Sequence, residues 1–444
     1  MQQAIRTVHV GVIGLGTVGG GTVRLIQKHR DSYLDAYGID IEVTRGCALD
    51  ADRAAELGLT GDAFTSDWRD ITSDPDIDIV VELIGGEHPA TEIFEDAFAH
   101  GKHVVSANKA LLGKQVGTLA AHARAAGVQI RCEAACGGGI PIVNALEHAL
   151  VGNKALTIAG IVNGTTNYIL SRMDAEGLDF ADVLADAQRL GYAEADPTAD
   201  VDGFDAASKL AILSSIAFHT RVTTDDVYMQ GIRNVSAIDI EQARELGMKV
   251  KLLAVGRNTP AGVDVRVHPT MIPADHQLAA VNGAMNAVYM VGDAVGETMF
   301  YGAGAGAFPT ASAVVGDILE LARPLCQGDD LVAESEPYAK VLPIRPIDDL
   351  NTRYYIRLAL EDRAGALAPA ISAFEQAGVS LSSVRDVRCG DDGKRSVVLL
   401  TNRAQEHDVT AACAQLAEQG GAVQVASLIR IEDMDAWTEG VEAN

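Results

Sequence analysis

The residues of this chain best placed to do chemistry are a glycine-rich turn, a lysine that follows a strand, and an Asp/Lys pair on one helix. Gly14-Leu15-Gly16-Thr17-Val18-Gly19 follows the apolar run Val8 to Ile13 and opens a helical stretch. In that context the glycines let the backbone turn tightly against a pyrophosphate seated on the positive end of a helix, which points to dinucleotide binding. Gly14, Gly16, Thr17, Val18 and Gly19 are therefore candidate cofactor contacts. Asp50 ends the next strand and is placed to accept a hydrogen bond from a ribose hydroxyl, while Arg53 and Arg45 are near enough in sequence to take a 2′-phosphate. NAD and NADP both stay open, and Asp50 is equally suited to capping the helix that follows.

Ser106 ends a later strand and Lys109 comes just after it, at the edge where open parallel sheets place ligands. Both are assigned to the cofactor, and Lys109 also to the substrate; a surface lysine opening a helix is the alternative. Asp205 and Lys209 stand four apart on an expected helix, so both side chains fall on one face and can pair. Such pairs usually decorate a solvent face. Here Phe204, Leu210, Ile212 and Leu213 argue for a packed helix, in which a lysine needs a reason. Tyr301 to Gly306 forms a permissive glycine loop ahead of another helical run, either returning that helix to the cofactor or acting as a hinge.

Composition narrows the partners. The 61 acidic against 35 basic residues give a formal charge of −26, which repels phosphate backbones and anionic lipid, so neither nucleic acid nor membrane is expected. No apolar run is long enough for a span and the first residues lack a secretory pattern, so the expected location is the cytoplasm. The six cysteines are scattered and the histidines form no metal pattern, which argues for reduced thiols and against a transition-metal enzyme.

The elements that must position these residues follow from periodicity. Residues 1–140 alternate β-branched runs with helices, as parallel βαβ units do, with a last strand at Val128 to Glu133. The fold class expected is α/β, with a dinucleotide-binding domain over 1–140 completed by a returning helix near 310–324. An α+β substrate and dimerisation domain spans 141–324, with helices at Ile142 to Val151 and Thr166 to Met173 among others. Residues 325–351, with Pro337, Pro343 and Pro346, read as a linker. Residues 352–432 read as βαββαβ, with a strand at Leu381 to Arg388 and a last one at Ser427 to Ile431.

Ser106-Ala107-Asn108-Lys109, Glu133-Ala134-Ala135-Cys136-Gly137-Gly138-Gly139-Ile140-Pro141, Asn163-Gly164-Thr165-Thr166-Asn167-Tyr168, Gly191-Tyr192-Ala193-Glu194-Ala195-Asp196-Pro197 and Asp205-Ala206-Ala207-Ser208-Lys209 occur in the order seen in homoserine dehydrogenases. The chain resembles that family over essentially its whole length. The resemblance implies a Rossmann-type first domain and a reversible, NAD(P)H-dependent reduction of L-aspartate 4-semialdehyde to L-homoserine, in the synthesis of threonine, methionine and isoleucine. It makes Lys209 the proton donor, with Asp205 orienting it, and places Lys109 near nicotinamide and substrate. An amino-acid aldehyde also presents an ammonium, which Glu194 and Asp200 can hold, and a carboxylate, which amides and hydroxyls around Asn163 to Thr166, Gly164 and Thr165 among them, can hold.

The resemblance further implies a sodium ion at Glu133, Cys136, Gly138 and Ile140, bound mainly through backbone carbonyls, although a tight interdomain connection explains that segment nearly as well. Gly306 lies in a loop the family uses beside the cofactor. The tail resembles an ACT domain, with Ala364 standing where that family commonly has proline, and L-threonine is its expected effector. A homodimer or higher homo-oligomer is implied. Truncation near Val341 is expected to leave activity, since every proposed catalytic group precedes it. Rival readings are another amino-acid dehydrogenase on the same scaffold and a catalytically dead amino-acid sensor; the joint presence of Glu194, Asp205 and Lys209 argues against the sensor.

Overall fold

A computed structural model of the chain describes residues 5–329, 331, 338, 340–387, 394–419 and 423–441. Pro337, Cys389 and the expected strand end at Arg388 lie outside the described residues. The first region runs β1 (Thr7–Ile13), α1 (Thr17–Tyr37), β2 (Asp40–Cys47), α2 (Ala51–Ala55), β3 (Phe64–Thr65), α3 (Arg69–Thr72), β4 (Ile79–Glu82), α4 (Ala90–Ala99), β5 (His103–Ser106), α5 (Lys109–Ala126) and β6 (Ile130–Arg131). Its six strands pair in the order β3-β2-β1-β4-β5-β6, all parallel. This is the doubly wound order whose crevice opens at the carboxyl ends of β1 and β4.

The next region runs α6 (Ile142–Asn144), β7 (Ala155–Ile161), α7 (Gly164–Glu176), α8 (Phe180–Leu190), α9 (Thr198–Val201), α10 (Phe204–Phe218), β8 (Tyr228–Met229), α11 (Ala237–Glu245), β9 (Met248–Thr259), β10 (Gly262–Pro273), β11 (Met285–Gly292), β12 (Gly296–Ala303) and α12 (Ala307–Gln327). Helix α12 returns to the first sheet: Val314, Val315, Ile318 and Leu321 share a core with Val8, Val10, Val12, Val23 and Ile26. It starts before and ends beyond the expected 310–324, running through Pro324 to an αL cap at Gly328.

The tail runs β13 (Asn351–Glu361), α13 (Ala368–Gln376), β14 (Leu381–Val387), β15 (Lys394–Thr401), β16 (Ala404–Gln405), α14 (Glu406–Gln419) and β17 (Val423–Ile431). Its strands are not a separate sheet. Strand β17 pairs with β10, so a single 11-stranded sheet runs β12-β11-β7-β9-β10-β17-β13-β15-β14, with β8 and β16 at its sides. Ahead of β13, Lys340 and Ile344 form bridges to Thr220 and Val263, which stitches part of the expected linker onto the second region.

Three local expectations differ from the structure. The Val128 to Glu133 strand shrinks to β6, because the Glu133 N–H donates to Asp317 Oδ2 of α12 and pulls the chain out of the sheet into a 3₁₀ turn, Glu133–Ala135. The Ile142 to Val151 helix divides into α6 and a π turn, Ala145–Ala149, with the Glu133 carboxylate accepting from the Val143 and Asn144 amides at its start. Helix α7 starts at Gly164, two residues early, because Asn163 Oδ1 accepts from the Thr166 amide at 2.8 Å. No described helix is long and apolar enough to cross a membrane, and the five cysteines among the described residues are free thiols.

Candidate active site

Asp205 and Lys209 lie one turn apart on α10, a helix buried along most of its length. Lys209 Nζ donates to Asp205 Oδ2 at 2.8 Å and to the Val162 carbonyl, just past β7, at 2.7 Å. Lys109, at the first position of α5, reaches across from the dinucleotide sheet to place its Nζ 3.1 Å from Asp205 Oδ1. Asn163 Nδ2 donates to Asp205 Oδ2 at 2.8 Å and to Asp200 Oδ1 at 2.7 Å. Burial by itself would raise the Asp205 carboxyl, but Lys209, Lys109 and the Asn163 amide outweigh it and hold it well below the usual carboxylate range. In return the Asp205 charge raises Lys109. Asp205 is thus an ionised hub with both lysines on it.

Around this hub, the first turn of α7 carries no acidic residue, and with the Thr166 and Asn167 amides taken by Asn163, the Gly164 and Thr165 amides stand at a positive helix end. Gly164 is packed so closely that a Cβ would stand 2.9 Å from the Ala284 carbonyl. Thr165 Oγ1 donates to the Tyr192 carbonyl at 2.7 Å, and Tyr192 stacks on Tyr168 with ring centroids 4.4 Å apart. Asp200 joins the cluster through Asn163. Glu194 does not: it is exposed on the neighbouring loop, where its backbone carbonyl accepts from Gln188.

The glycine turn has the shape a pyrophosphate needs. Gly14 holds φ 98°, and a Cβ on Gly19 would stand 1.9 Å from the Gly14 carbonyl, so neither position admits another residue. Gly16 faces open space, and the α1 amides at Thr17 and Val18 have no side-chain cap. Asp50 accepts from the Asp52 amide at 3.0 Å as the cap of α2, the alternative left open by its position. Arg53 Nε donates to the Leu15 carbonyl at 3.1 Å, inside the turn, whereas Arg45 is turned away onto Asp62, Asp70 and Asp74. Ser106 Oγ donates to the buried Glu82 at 2.8 Å and accepts from the Asn108 amide. Gly306 caps α12 at φ 136°; the adjoining loop packs on the expected cation segment, where a Cβ on Gly138 would meet the Gly304 backbone at 2.6 Å, and the start of α12 packs on α1, where a Cβ on Gly21 would stand 2.8 Å from the Ala307 carbonyl.

At the expected cation segment the side chains are committed elsewhere. The Glu133 carboxylate caps α6, and Cys136 Sγ points to the Lys209 carbonyl at 3.8 Å. The Glu133 and Ile140 carbonyls already accept from the Cys136 and Ile142 amides. Only spare carbonyl lone pairs there suit a hard cation, and among the described residues no group of three or more His, Cys, Asp or Glu side chains gathers as a metal site. Sequence reasoning did not single out the Asn163 side chain, the Val162 carbonyl or Tyr192. Asn163 carried a readable signal, an asparagine directly before a helix start.

Residues 141–319 match the family model described as homoserine dehydrogenase, and residues 14–133 match the model for the NAD-binding domain of homoserine dehydrogenase. A homoserine dehydrogenase of Synechocystis sp. is 44% identical over 96% of this chain and 99% of its own length. The crystal structure of a homoserine dehydrogenase from Thiobacillus denitrificans superposes with a TM-score of 0.89 at 42% identity, over 97% of this chain and 99% of that one. A hyperthermophilic archaeal homoserine dehydrogenase in complex with NADPH superposes with a TM-score of 0.61 at 26% identity, over 71% of this chain and 97% of that one.

Proposed function

The chain belongs to the homoserine dehydrogenase family, and from that membership we propose that the Asp205 hub is where it interconverts L-aspartate 4-semialdehyde and L-homoserine. The observation that carries the assignment is the convergence of Lys209, from one region, and Lys109, from the other, on one buried carboxylate. A nicotinamide cofactor, when bound, supplies or accepts the hydride. The work of the chain is binding, orientation and proton transfer. Lys209 holds the proton given to the carbonyl oxygen during reduction, and takes one back during oxidation. Asp205 fixes the Lys209 ammonium and Lys109 flanks the reacting carbon. Asp200, with Glu194 on the neighbouring loop, takes the substrate ammonium, while the Gly164 and Thr165 amides take its carboxylate. Absorbance at 340 nm with aspartate semialdehyde and each reduced cofactor tests this; absence of turnover with both would overturn it.

For the cofactor, Gly14, Gly16, Thr17, Val18 and Gly19 hold the pyrophosphate, with Ser106 and Gly306 lining the approach. Asp50 has free acceptor capacity and is exposed, so NAD is usable, and Arg53 beside the turn tolerates NADP. Asp50→Ala is expected to shift the ratio of kcat/KM values toward NADP by about tenfold, and Arg53→Ala to shift it back. Strict NADP dependence, unmoved by Asp50→Ala, would leave Asp50 as a helix cap alone. A sodium ion near Glu133, Cys136, Gly138 and Ile140 would be held by carbonyls, with no part in proton transfer.

The tail's strand order β17-β13-β15-β14 around two helices supports an ACT-like regulatory unit, with L-threonine as the effector to titrate first. It contacts the catalytic region directly: Gln230 Oε1 accepts from Arg430 of β17 at 2.6 Å, and Ile232, two residues on, donates its amide to the Val201 carbonyl beside Asp200. Threonine inhibits to the extent that it prefers the less active state. The homodimer contact is placed on the free edge β12, which exposes Val295, Met299 and Tyr301 nearby.

A further inference from the structure

Lys251 lies in β9 with 2% of its surface exposed. Its Nζ donates to the Val281 carbonyl at 2.6 Å, to Asn167 Oδ1 at 3.2 Å and to Asn282 Oδ1 at 3.3 Å, all neutral acceptors. Among the described residues, the charged groups facing it are Lys249 of its own strand and Asp174 of α7. Asp174 is already engaged by Lys249 at 3.2 Å and by Arg244 of α11 at 3.1 Å. Burial, with Lys249 adding to it, pushes the Lys251 ammonium down to about 8. A buried cation without its own counter-charge is expensive to keep and calls for an anion from elsewhere.

The bonds of Lys251 lead to the start of α7. Asn167 Nδ2 donates to the Val281 carbonyl at 3.2 Å and the Met285 carbonyl at 3.0 Å, and its backbone amide donates to the Asn163 carbonyl at 3.2 Å. The 281–285 segment held in this way is the one whose Ala284 carbonyl packs against Gly164. We propose that Lys251 is a positioning residue for the substrate: from behind α7 it fixes the Gly164–Thr165 turn and supplies positive potential whose counter-charge is the substrate carboxylate. This rests on the reading of that turn as the carboxylate site.

The test compares homoserine oxidation with oxidation of 3-aminopropan-1-ol, the same skeleton without the carboxylate, in the full-length enzyme. Lys251→Met removes the charge. Asn282→Asp keeps the lysine and sets a carboxylate beside it from an exposed position, so it decides the matter if Lys251→Met does not fold. Both variants are expected to raise KM for homoserine about tenfold with kcat little changed, and to leave kcat/KM for the amino alcohol near wild type. An unchanged homoserine KM in Asn282→Asp, or equal losses on both substrates, overturns the role of Lys251. Wild-type enzyme that does not prefer homoserine over the amino alcohol overturns the carboxylate reading itself.

Discussion

Lys209→Met is expected to lower kcat in both directions by about 10²- to 10⁴-fold, the range a positioned general acid contributes, with dinucleotide affinity unchanged. The split follows from geometry. Lys209 sits on α10 with its Nζ on Asp205 and the Val162 carbonyl, whereas the cofactor turn is built on β1 and α1. Methionine preserves bulk, so the loss reports the ammonium and not a cavity. The proton balance of the reaction provides a second reading: reduction consumes a proton and oxidation releases one, so alkaline pH should favour oxidation over reduction. Asp205→Asn should also be damaging, since it removes the carboxylate that pairs with both Lys209 and Lys109. Cofactor titration by fluorescence beside steady-state kinetics checks these points; near-normal turnover in Lys209→Met would remove it from the chemistry.

The Asp205/Lys209 pair was legible in sequence because an i, i+4 spacing fixes a shared face whatever else the fold does. The glycine turn was legible because its strand-to-helix context is local. What sequence could not give was the partner across the interface. That Lys109 closes on Asp205 depends on how two sheets meet, and no periodicity encodes this. Glu194 shows the reverse limit, since a carboxylate close in sequence to Asp200 stands outside the cluster. Likewise β6 ends early because of one hydrogen bond to Asp317, a residue from far along the chain. The feature least visible from sequence was the attachment of the tail: its βαββαβ order reads as self-contained, and the pairing of β17 with β10 has no local signature.

Truncation near Val341 is therefore expected to cost the fold, and not to leave an active core. Removing β17 unpairs Thr270 and Met271 of β10 and leaves the two-residue β8 on that side, so the end of an interior strand becomes an edge prone to association. The cut also strips the segment after β17 from the second region. Trp437, 1% exposed, packs against Tyr289 and His276 and donates through Nε1 to Glu432, while its carbonyl accepts from Thr157 Oγ1 at 3.2 Å. Glu432 in turn holds the buried Arg266 at 2.7 Å, and Asp239, fully buried, loses Arg357 at 2.8 Å and the Tyr355 hydroxyl at 2.9 Å. Water entering the cut face rehydrates these charges, so the dominant loss is apolar: Leu253, Val255, Tyr289 and Val291 lie in the cluster Trp437 helps to close. The point variant Trp437→Ala should cost about 3–5 kcal/mol, a large share of the ~5–15 kcal/mol typical of a folded protein. Its kcat at low temperature should stay near wild type, because the hydrogen bonds and ion pairs of the Asp205 hub run, among the described residues, to Val162, Asn163, Lys109 and Lys209 and not to the tail. Thermal melts and size-exclusion profiles of the truncated protein and Trp437→Ala decide between the two views. A truncated enzyme that is soluble, melts with the full chain and turns over normally would show the tail to be a detachable regulator after all.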